Sequence, residues 1–266
     1  MNLDLTIKKT WLYKINPSLK LLVMVLLFIG VLFVHQLNMI VYGTLSALLL
    51  LILFSGHPPK RLALLSIPFI IVFVSTASSM ILFGKGDTTW FKWGLIHITE
   101  ESFYRGIHLG FRALVFATLG LTFSLTTRPV YLFYSLMQQV KLNPKYAYSF
   151  MAGFRLIPIM IEEFQTIRNA MVVRGVQQQK GIRSFYFKLK SYSIPLLSQS
   201  IRRAHRIAVA MEAKRFSEVK KRTFYYKIGF SGYDVVFIVS WVFLIGAAYY
   251  LSLNVPILPT GDVRYE

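Results

Sequence analysis

The sequence predicts an all-α integral membrane protein with about five transmembrane helices and two long, kinked helices outside the bilayer. Three observations carry this reading. The 266-residue chain is 55% hydrophobic with a mean hydropathy of +0.53, more apolar than a soluble core requires. Its apolar residues gather into long uncharged runs, the first extending 39 residues from Leu21 to Pro59. Its charge is gathered as well: of a formal net +19, residues 141–227 supply +14, from 18 Lys and Arg against Glu162, Glu163, Glu212 and Glu218.

The elements follow in chain order. An uncharged run of 39 residues is too long for one span and fits two helices, about 19–35 and 39–56, folded over a turn at His35, Gln36, Leu37 and Asn38. Leu62–Gly84 gives a third span, 62–83. The fourth, 105–127, is interrupted by Arg112, an intramembrane charge expected to be buried against protein in a pairing role. A short amphipathic segment completes a transmembrane region over residues 1–140. Residues 141–227 form the basic region, and residues 228–266 hold the last span, 234–253, with a tail after it. The apolar N-terminal run continues straight into a second span with no small-residue cleavage site before it, so no signal cleavage is expected.

Charge sets the orientation. The basic region, Lys8, Lys9, Lys14 and Lys20 before the first span, and Lys60-Arg61 between the second and third all fall on one side, which the positive-inside rule makes cytoplasmic. The loop from Lys85 to Tyr104 then falls outside, where Trp90, Phe91 and Trp93 suit interfacial anchors or a re-entrant segment. The N-terminus is expected in the cytoplasm and the C-terminus outside.

Several chemistries are excluded. No nucleic-acid module accompanies the basic charge, and membrane topology accounts for it. Cysteine is absent, which removes disulfides, thiolate nucleophiles and Cys-type zinc sites. No phosphate-binding G-x-x-x-x-G-K-[ST] occurs, so ATP energy has to come from a partner. The five histidines are scattered without ligand spacing, and no metal site, cofactor or catalytic residue is assigned. Adjacent Glu162 and Glu163 diverge by about 100° on a helix and suit contacts to nearby arginines better than acid–base work.

The basic region carries an internal repeat. Ile157–Gly175 and Ile194–Arg215 each begin with Ile-Pro and reach an Ala-Met pair, Ala170-Met171 and Ala210-Met211, which lie 40 residues apart. Each ends on a basic residue three positions after the Met, at Arg174 and Lys214. Asn143-Pro144 is a helix start, and Gly175 suits the left-handed residue that ends one. Pro158 and Pro195 are expected to kink the two helices. Ala170, Ala204, Ala208 and Ala210 offer small residues at which helices approach closely. With Arg215 where the first segment has Gly175, the second helix is expected to continue to about Ser217. The competing reading makes both helices surface helices with a solvated charged face.

These segments resemble the two coupling helices of the transmembrane T component of energy-coupling factor importers. The likeness is carried by Arg155-Leu156-Ile157-Pro158 with Ala170-Met171-Val172-Val173-Arg174-Gly175, and by Pro195-Leu196-Leu197 with Ile201-Arg202-Arg203-Ala204 and Ala210-Met211-Glu212-Ala213-Lys214-Arg215-Phe216. Asn16-Pro17-Ser18-Leu19-Lys20-Leu21 resembles the family's Asp-Pro-Arg-Thr-Lys-Leu lead into the first span, and Arg112 and Thr126-Thr127-Arg128-Pro129 sit where its pattern expects them. The resemblance implies a non-catalytic subunit of a bacterial plasma-membrane importer. Its partners would be two cytoplasmic ATP-binding subunits and a separate membrane protein that binds a vitamin or metal.

In that family each coupling helix ends in Ala-Arg-Gly, which docks in an ATPase groove. Here the matching residues are Val173-Arg174-Gly175 and Ala213-Lys214-Arg215, so the first tip keeps a planar guanidinium while the second offers a point charge with Arg215 beside it. The alternative is a self-sufficient multi-span permease or membrane-integral enzyme. Such permeases place their repeats and broken helices at the membrane midplane rather than at basic helix ends.

Overall fold

The computed structural model describes residues 10–84, 86, 88–93, 96–175, 182–216 and 223–258. They form a 3₁₀ turn (Trp11–Lys14) and helices α1 (Pro17–Phe33), α2 (Leu37–Phe54), α3 (Pro59–Phe83), α4 (Glu100–Thr126), α5 (Pro129–Gln139), α6 (Pro144–Val173), α7 (Ile182–Ala213) and α8 (Gly232–Asn254). A two-stranded antiparallel hairpin, β1 (Thr89–Trp93) and β2 (Ile96–Thr99), stands between α3 and α4. The protein is an all-α membrane protein apart from this hairpin. α2, α3, α4 and α8 are long and apolar enough to cross a membrane, and α1 is an apolar helix of 17 residues. The chain divides into two compact units, residues 1–135 with 228–266, and residues 136–227.

The first unit is built around α4, which packs along α3 and α2 and also touches α1, while α8 packs on α2. Its core joins Leu12 and Ile15 of the N-terminal turn to Met24, Ile40, Leu50, Leu119, Phe237 and Trp241 from four helices. Outward from this core the helices show lipid-type surface: Leu22, Leu26, Ile52, Leu53, Ile71 and Val242 are exposed large apolar side chains. In water such a surface would not stay uncovered; in a bilayer it is the expected exterior.

The α3–α4 contact depends on a feature of α4 that hydropathy does not reveal. Gly106 and Gly110 stand four apart on one face, and Ala77 of α3 lies opposite both. A Cβ at Gly106 would sit 2.9 Å from the Ala77 carbonyl oxygen, and one at Gly110 would sit 2.8 Å from the Phe73 ring. The paired small residues let the two backbones approach, which is how helices gain contact where water supplies no driving force.

Two boundaries differ from expectation for local reasons. α4 begins at Glu100 rather than 105, because Thr99 Oγ accepts from the Ser102 N–H at 3.1 Å and Ser102 Oγ accepts from the Thr99 N–H at 3.0 Å. This reciprocal cap starts the helix ahead of the apolar run, and Glu100 and Glu101 in the first turn suit the positive end of the helix dipole. The segment read as interfacial anchors or a re-entrant element is instead the β-hairpin. Its aromatic and β-branched residues pair with Phe91 opposite Ile98. The exposed Trp90 ring packs on Phe103 of α4 with centroids 5.7 Å apart.

The glycine face yields a stability test. Gly106→Ala is expected to destabilise the detergent-solubilised protein by about 1–3 kcal/mol, because the methyl meets backbone that cannot step aside. Gly120→Ala, whose added Cβ meets nothing within 4 Å, is expected to be neutral or mildly stabilising. Thermal unfolding of the two variants side by side checks this.

Candidate functional site

The basic helix ends belong to the second unit. Asn143 Oδ1 accepts from the Lys145 N–H at 3.0 Å and Pro144 takes the first helical position, so α6 starts as the Asn-Pro pair dictates. Both long helices pass through their prolines, Pro158 in α6 and Pro195 in α7, without interruption of the helical segment. α6 ends at Val173; Arg174 caps it, its N–H donating to the Ala170 carbonyl, and Gly175 follows with φ +70°. Among the described residues none lies within 4 Å of a Cβ placed at Gly175, and its φ of +70° is the conformation that favours glycine. Val173 is 88% exposed and Arg174 is exposed beside it.

α7 ends at Ala213, four residues short of the expected Ser217. Arg215 adopts the left-handed conformation, φ +51°, that Gly175 adopts in the first tip. Its N–H donates to Glu212 O at 2.8 Å and the Phe216 N–H donates to Met211 O at 3.0 Å. That is the double bond pattern that closes a helix over a left-handed residue. The expectation rested on glycine being required for such a stop. Arg215 takes the conformation without it, at a cost of about 1–2 kcal/mol for a residue bearing a Cβ. The two tips therefore share one backbone geometry: Arg174 matches Lys214, Gly175 matches Arg215, and Met171 and Met211 lie three residues ahead of the matched basic residues.

The repeat extends into burial. Glu163, Ile167 and Met171 are the partly buried residues of α6 between Glu163 and its tip, and Arg203, Ile207 and Met211 are their counterparts on α7. Glu163 and Arg203 form an ion pair, with side chains 16% and 26% exposed. Glu163 thus makes the arginine contact expected of it. The contact joins equivalent positions of the repeat, 40 residues apart. Phe164 also packs on Tyr192, and Tyr148 near the start of α6 on Phe216 just past the end of α7, with centroids 5.2 and 5.3 Å apart. Contacts that run up one helix while running down the other mean that α6 and α7 are antiparallel. Arg174 lies 11 residues beyond Glu163 and Lys214 lies 11 beyond Arg203. Each tip is therefore about 16 Å of helix from the ion pair, in opposite directions. Ala170, Ala204, Ala208 and Ala210 are exposed, and α6 meets α7 through the Glu163–Arg203 and Phe164–Tyr192 pairs.

In the first unit, Arg112 donates from Nη2 to the Val34 carbonyl at 2.8 Å. A cation is thereby placed on the carbonyl end of α1, where the helix dipole favours it. Two groups there carry more structural weight than their sequence context signals. Lys20, read as a topology-setting charge and as part of the Asn16–Leu21 lead into the first span, is 1% exposed; its ammonium donates to Leu12 O at 2.6 Å, Thr126 Oγ1 at 3.1 Å and Thr126 O at 3.3 Å. Asp234, 2% exposed, accepts from the Asn16 N–H and the Ser231 N–H, each at 2.7 Å. The signal for Asp234 was the Ser231-x-x-Asp234 spacing ahead of an apolar run, a capping pattern. Among the described residues, no group of three or more His, Cys, Asp and Glu is placed to hold a metal ion.

With this geometry in place, comparison with known proteins is decisive. The sequence pattern of the CbiQ family, described as cobalt transport protein, matches residues 8–226. Relatives named energy-coupling factor transporter transmembrane protein EcfT occur in several bacteria. That of Listeria innocua is 26% identical over 251 residues, covering 91% of this chain and 94% of the relative. That of Bacillus subtilis is 25% identical over 250 residues, covering 90% and 93%. That of Brevibacillus brevis is 28% identical over 253 residues, covering 89% and 92%. The chain belongs to the CbiQ family and is an EcfT-like, multi-pass transmembrane component of an energy-coupling factor transporter in the cell membrane.

Proposed function

We propose that this chain is the non-catalytic coupling subunit of its importer. It passes ATP-driven motion of two cytoplasmic ATPase subunits to a separate substrate-binding membrane protein that carries a vitamin or other micronutrient. The observation that carries the reading is the paired ends of α6 and α7, two exposed basic tips with the same backbone cap, each 11 residues from the Glu163–Arg203 contact. Val173, Arg174 and Gly175 form one docking tip and Ala213, Lys214 and Arg215 the other. Closure of the ATPases on ATP moves both tips. The ion pair joins the two arms, so displacement of one helix is passed to the other, and their apolar halves tilt the substrate-binding partner until it releases inward. Pro158 and Pro195, each removing one backbone hydrogen bond, are the points at which the arms flex. The N-terminus and both tips face the cytoplasm, and the hairpin faces outside.

Arg174→Ala is expected to leave the protein in the membrane and bound to the substrate-binding partner while ATP-driven uptake falls steeply. A charge-assisted contact buried on docking is worth about 2–5 kcal/mol. Lys214→Ala is expected to lower uptake less, because Arg215 adjoins it, and the Lys214→Ala/Arg215→Ala pair to match Arg174→Ala. Wild-type uptake by the Arg174→Ala complex would remove the tip from the mechanism. Loss of the protein itself from the membrane would point to folding and to the solvated-face reading.

The link between the arms has its own test. Glu163→Arg and Arg203→Glu are each expected to depress uptake, and the double reversal to restore much of it, measured in vesicles with the ATPases present. Double variants no better than the singles would sever the ion pair from coupling.

Orientation is checked in this cysteine-free chain by adding single thiols. A cysteine replacing the exposed Thr89 is expected to react with an impermeant reagent applied outside, and one replacing Gln178 to react only after the membrane is opened. The reverse pattern would overturn the cytoplasmic role of the tips.

A further inference from the structure

Two motifs singled out in the sequence, Asn16–Leu21 and Thr126–Pro129, have no part in the coupling tips, yet the fold brings them together. They line one cleft of about 280 Å³ with Tyr13, Lys14, Tyr131, Ile228 and Gly229. That volume is ample for several waters or a phosphate group. Three cations border it. Lys14 and Arg128 are exposed, and their described contacts are with aromatic faces, Lys14 over the Tyr233 ring at 5.0 Å and Arg128 over Tyr131 at 5.9 Å. Lys20 is buried against the cleft, its ammonium held by neutral oxygens of Leu12 and Thr126. Among the described residues the carboxylate at this end is Asp234, with one oxygen on the Asn16 N–H and the other on the Ser231 N–H. Against that committed carboxylate the three described cations leave a positive excess.

A second, independent observation points to an absent ligand. Thr127 is a residue of the cleft wall, and its hydroxyl is buried with no hydrogen-bond partner among the described residues. A hydroxyl removed from water with nothing to bond costs about 1–3 kcal/mol, and a native fold seldom leaves it so. The Tyr13 phenol is pushed above its ordinary value by burial, with the positive charges of Arg61 and Arg128 opposing the rise, so Arg61 adds to the field here. Cations, a waiting hydroxyl and a concave wall at a membrane-protein edge rich in Lys and Arg are the chemistry of a phosphate site.

We propose that this cleft binds a phosphate group, through Lys14, Arg128 and the Thr127 hydroxyl, in the field of Lys20. Its source is the headgroup of an anionic lipid or a free phosphate ester. The site does not depend on the coupling role of α6 and α7, nor on which side of the membrane it faces.

The test uses the full chain in detergent, titrated separately with dioleoylphosphatidylglycerol, dioleoylphosphatidylcholine and inorganic phosphate. Bound lipid is counted by native mass spectrometry, and stabilisation is followed by thermal unfolding. The phosphatidylglycerol is expected to bind saturably and raise the unfolding midpoint, while the phosphatidylcholine does neither. Lys14→Ala/Arg128→Ala is expected to weaken that binding at least tenfold. Thr127→Val, close to threonine in shape, is expected to weaken it several-fold while the lipid-free midpoint rises or holds, since the unpaired hydroxyl is gone. Stabilisation by inorganic phosphate, lost in the same variants, would support the site and name free phosphate as the source. Equal binding of the two lipids with no effect of phosphate, or unaltered binding in both variants, would overturn the proposal.

Discussion

The short bond from the Asn16 amide to the Asp234 carboxylate closes the first unit, joining residues 218 apart in sequence. Both groups are almost fully buried, so neither could lose its partner without the full desolvation cost. The node leaves little unused. Asn16 Oδ1 accepts from the Ser18 N–H, the Ser18 hydroxyl and the Ser135 hydroxyl, and its side-chain amide donates to Gly229 O. The other Asp234 oxygen caps α8 through Ser231. One cluster thus fixes where α1 begins and where α8 begins, and binds Ser135 of α5 to Asn16. The apolar contacts between the helices are non-directional and would tolerate sliding; this polar cluster does not, and it sets their register.

At the opposite end of the same helices Asn38 does comparable work. Its side chain donates to Leu258 O at 2.8 Å and accepts from the N–H groups of Ile257 and Leu258 at 3.1 and 3.0 Å. Tyr42 adds a bond to Val255 O at 2.6 Å. The first turns of α2 are therefore pinned to the chain just past α8. Where the surrounding solvent is lipid, fixing helices by polar groups at their ends leaves the middle free to be apolar on every side.

Much of the fold was legible because membrane helices announce themselves by length and hydropathy. α1, α2, α3 and α8 follow the expected spans, 19–35, 39–56, 62–83 and 234–253, to within three residues at every end. What was missed is what those measures do not contain. The Thr99–Ser102 cap moved the start of α4 into polar sequence, and the hairpin arose from a segment whose residues also suit an interface. Gly106 and Gly110 read as ordinary small residues until Ala77 was placed opposite them. In the second unit the repeat was visible and located both tips. The stop after α7 was misjudged because Arg215 was weighed by intrinsic preference, and the hydrogen bonds of Arg215 and Phe216 outweigh that preference. Nothing local marked Glu163 and Arg203 as partners; that required knowing that equivalent points of the repeat meet.

That meeting constrains how the repeat can vary. When two copies of a motif touch at the same position, a residue placed in both faces itself, and two like charges there would repel. The contact is workable here because the copies have diverged to opposite charge at Glu163 and Arg203. The divergence also gives the pair a handedness of identity: the helix with the acidic partner, Glu163, ends in the Arg-Gly tip and the helix with the basic partner, Arg203, in the Lys-Arg tip. Exchange of the two helices is no longer neutral. A pair of unlike nucleotide-hydrolysing partners meeting this subunit would find two distinguishable addresses on a scaffold of nearly symmetric shape.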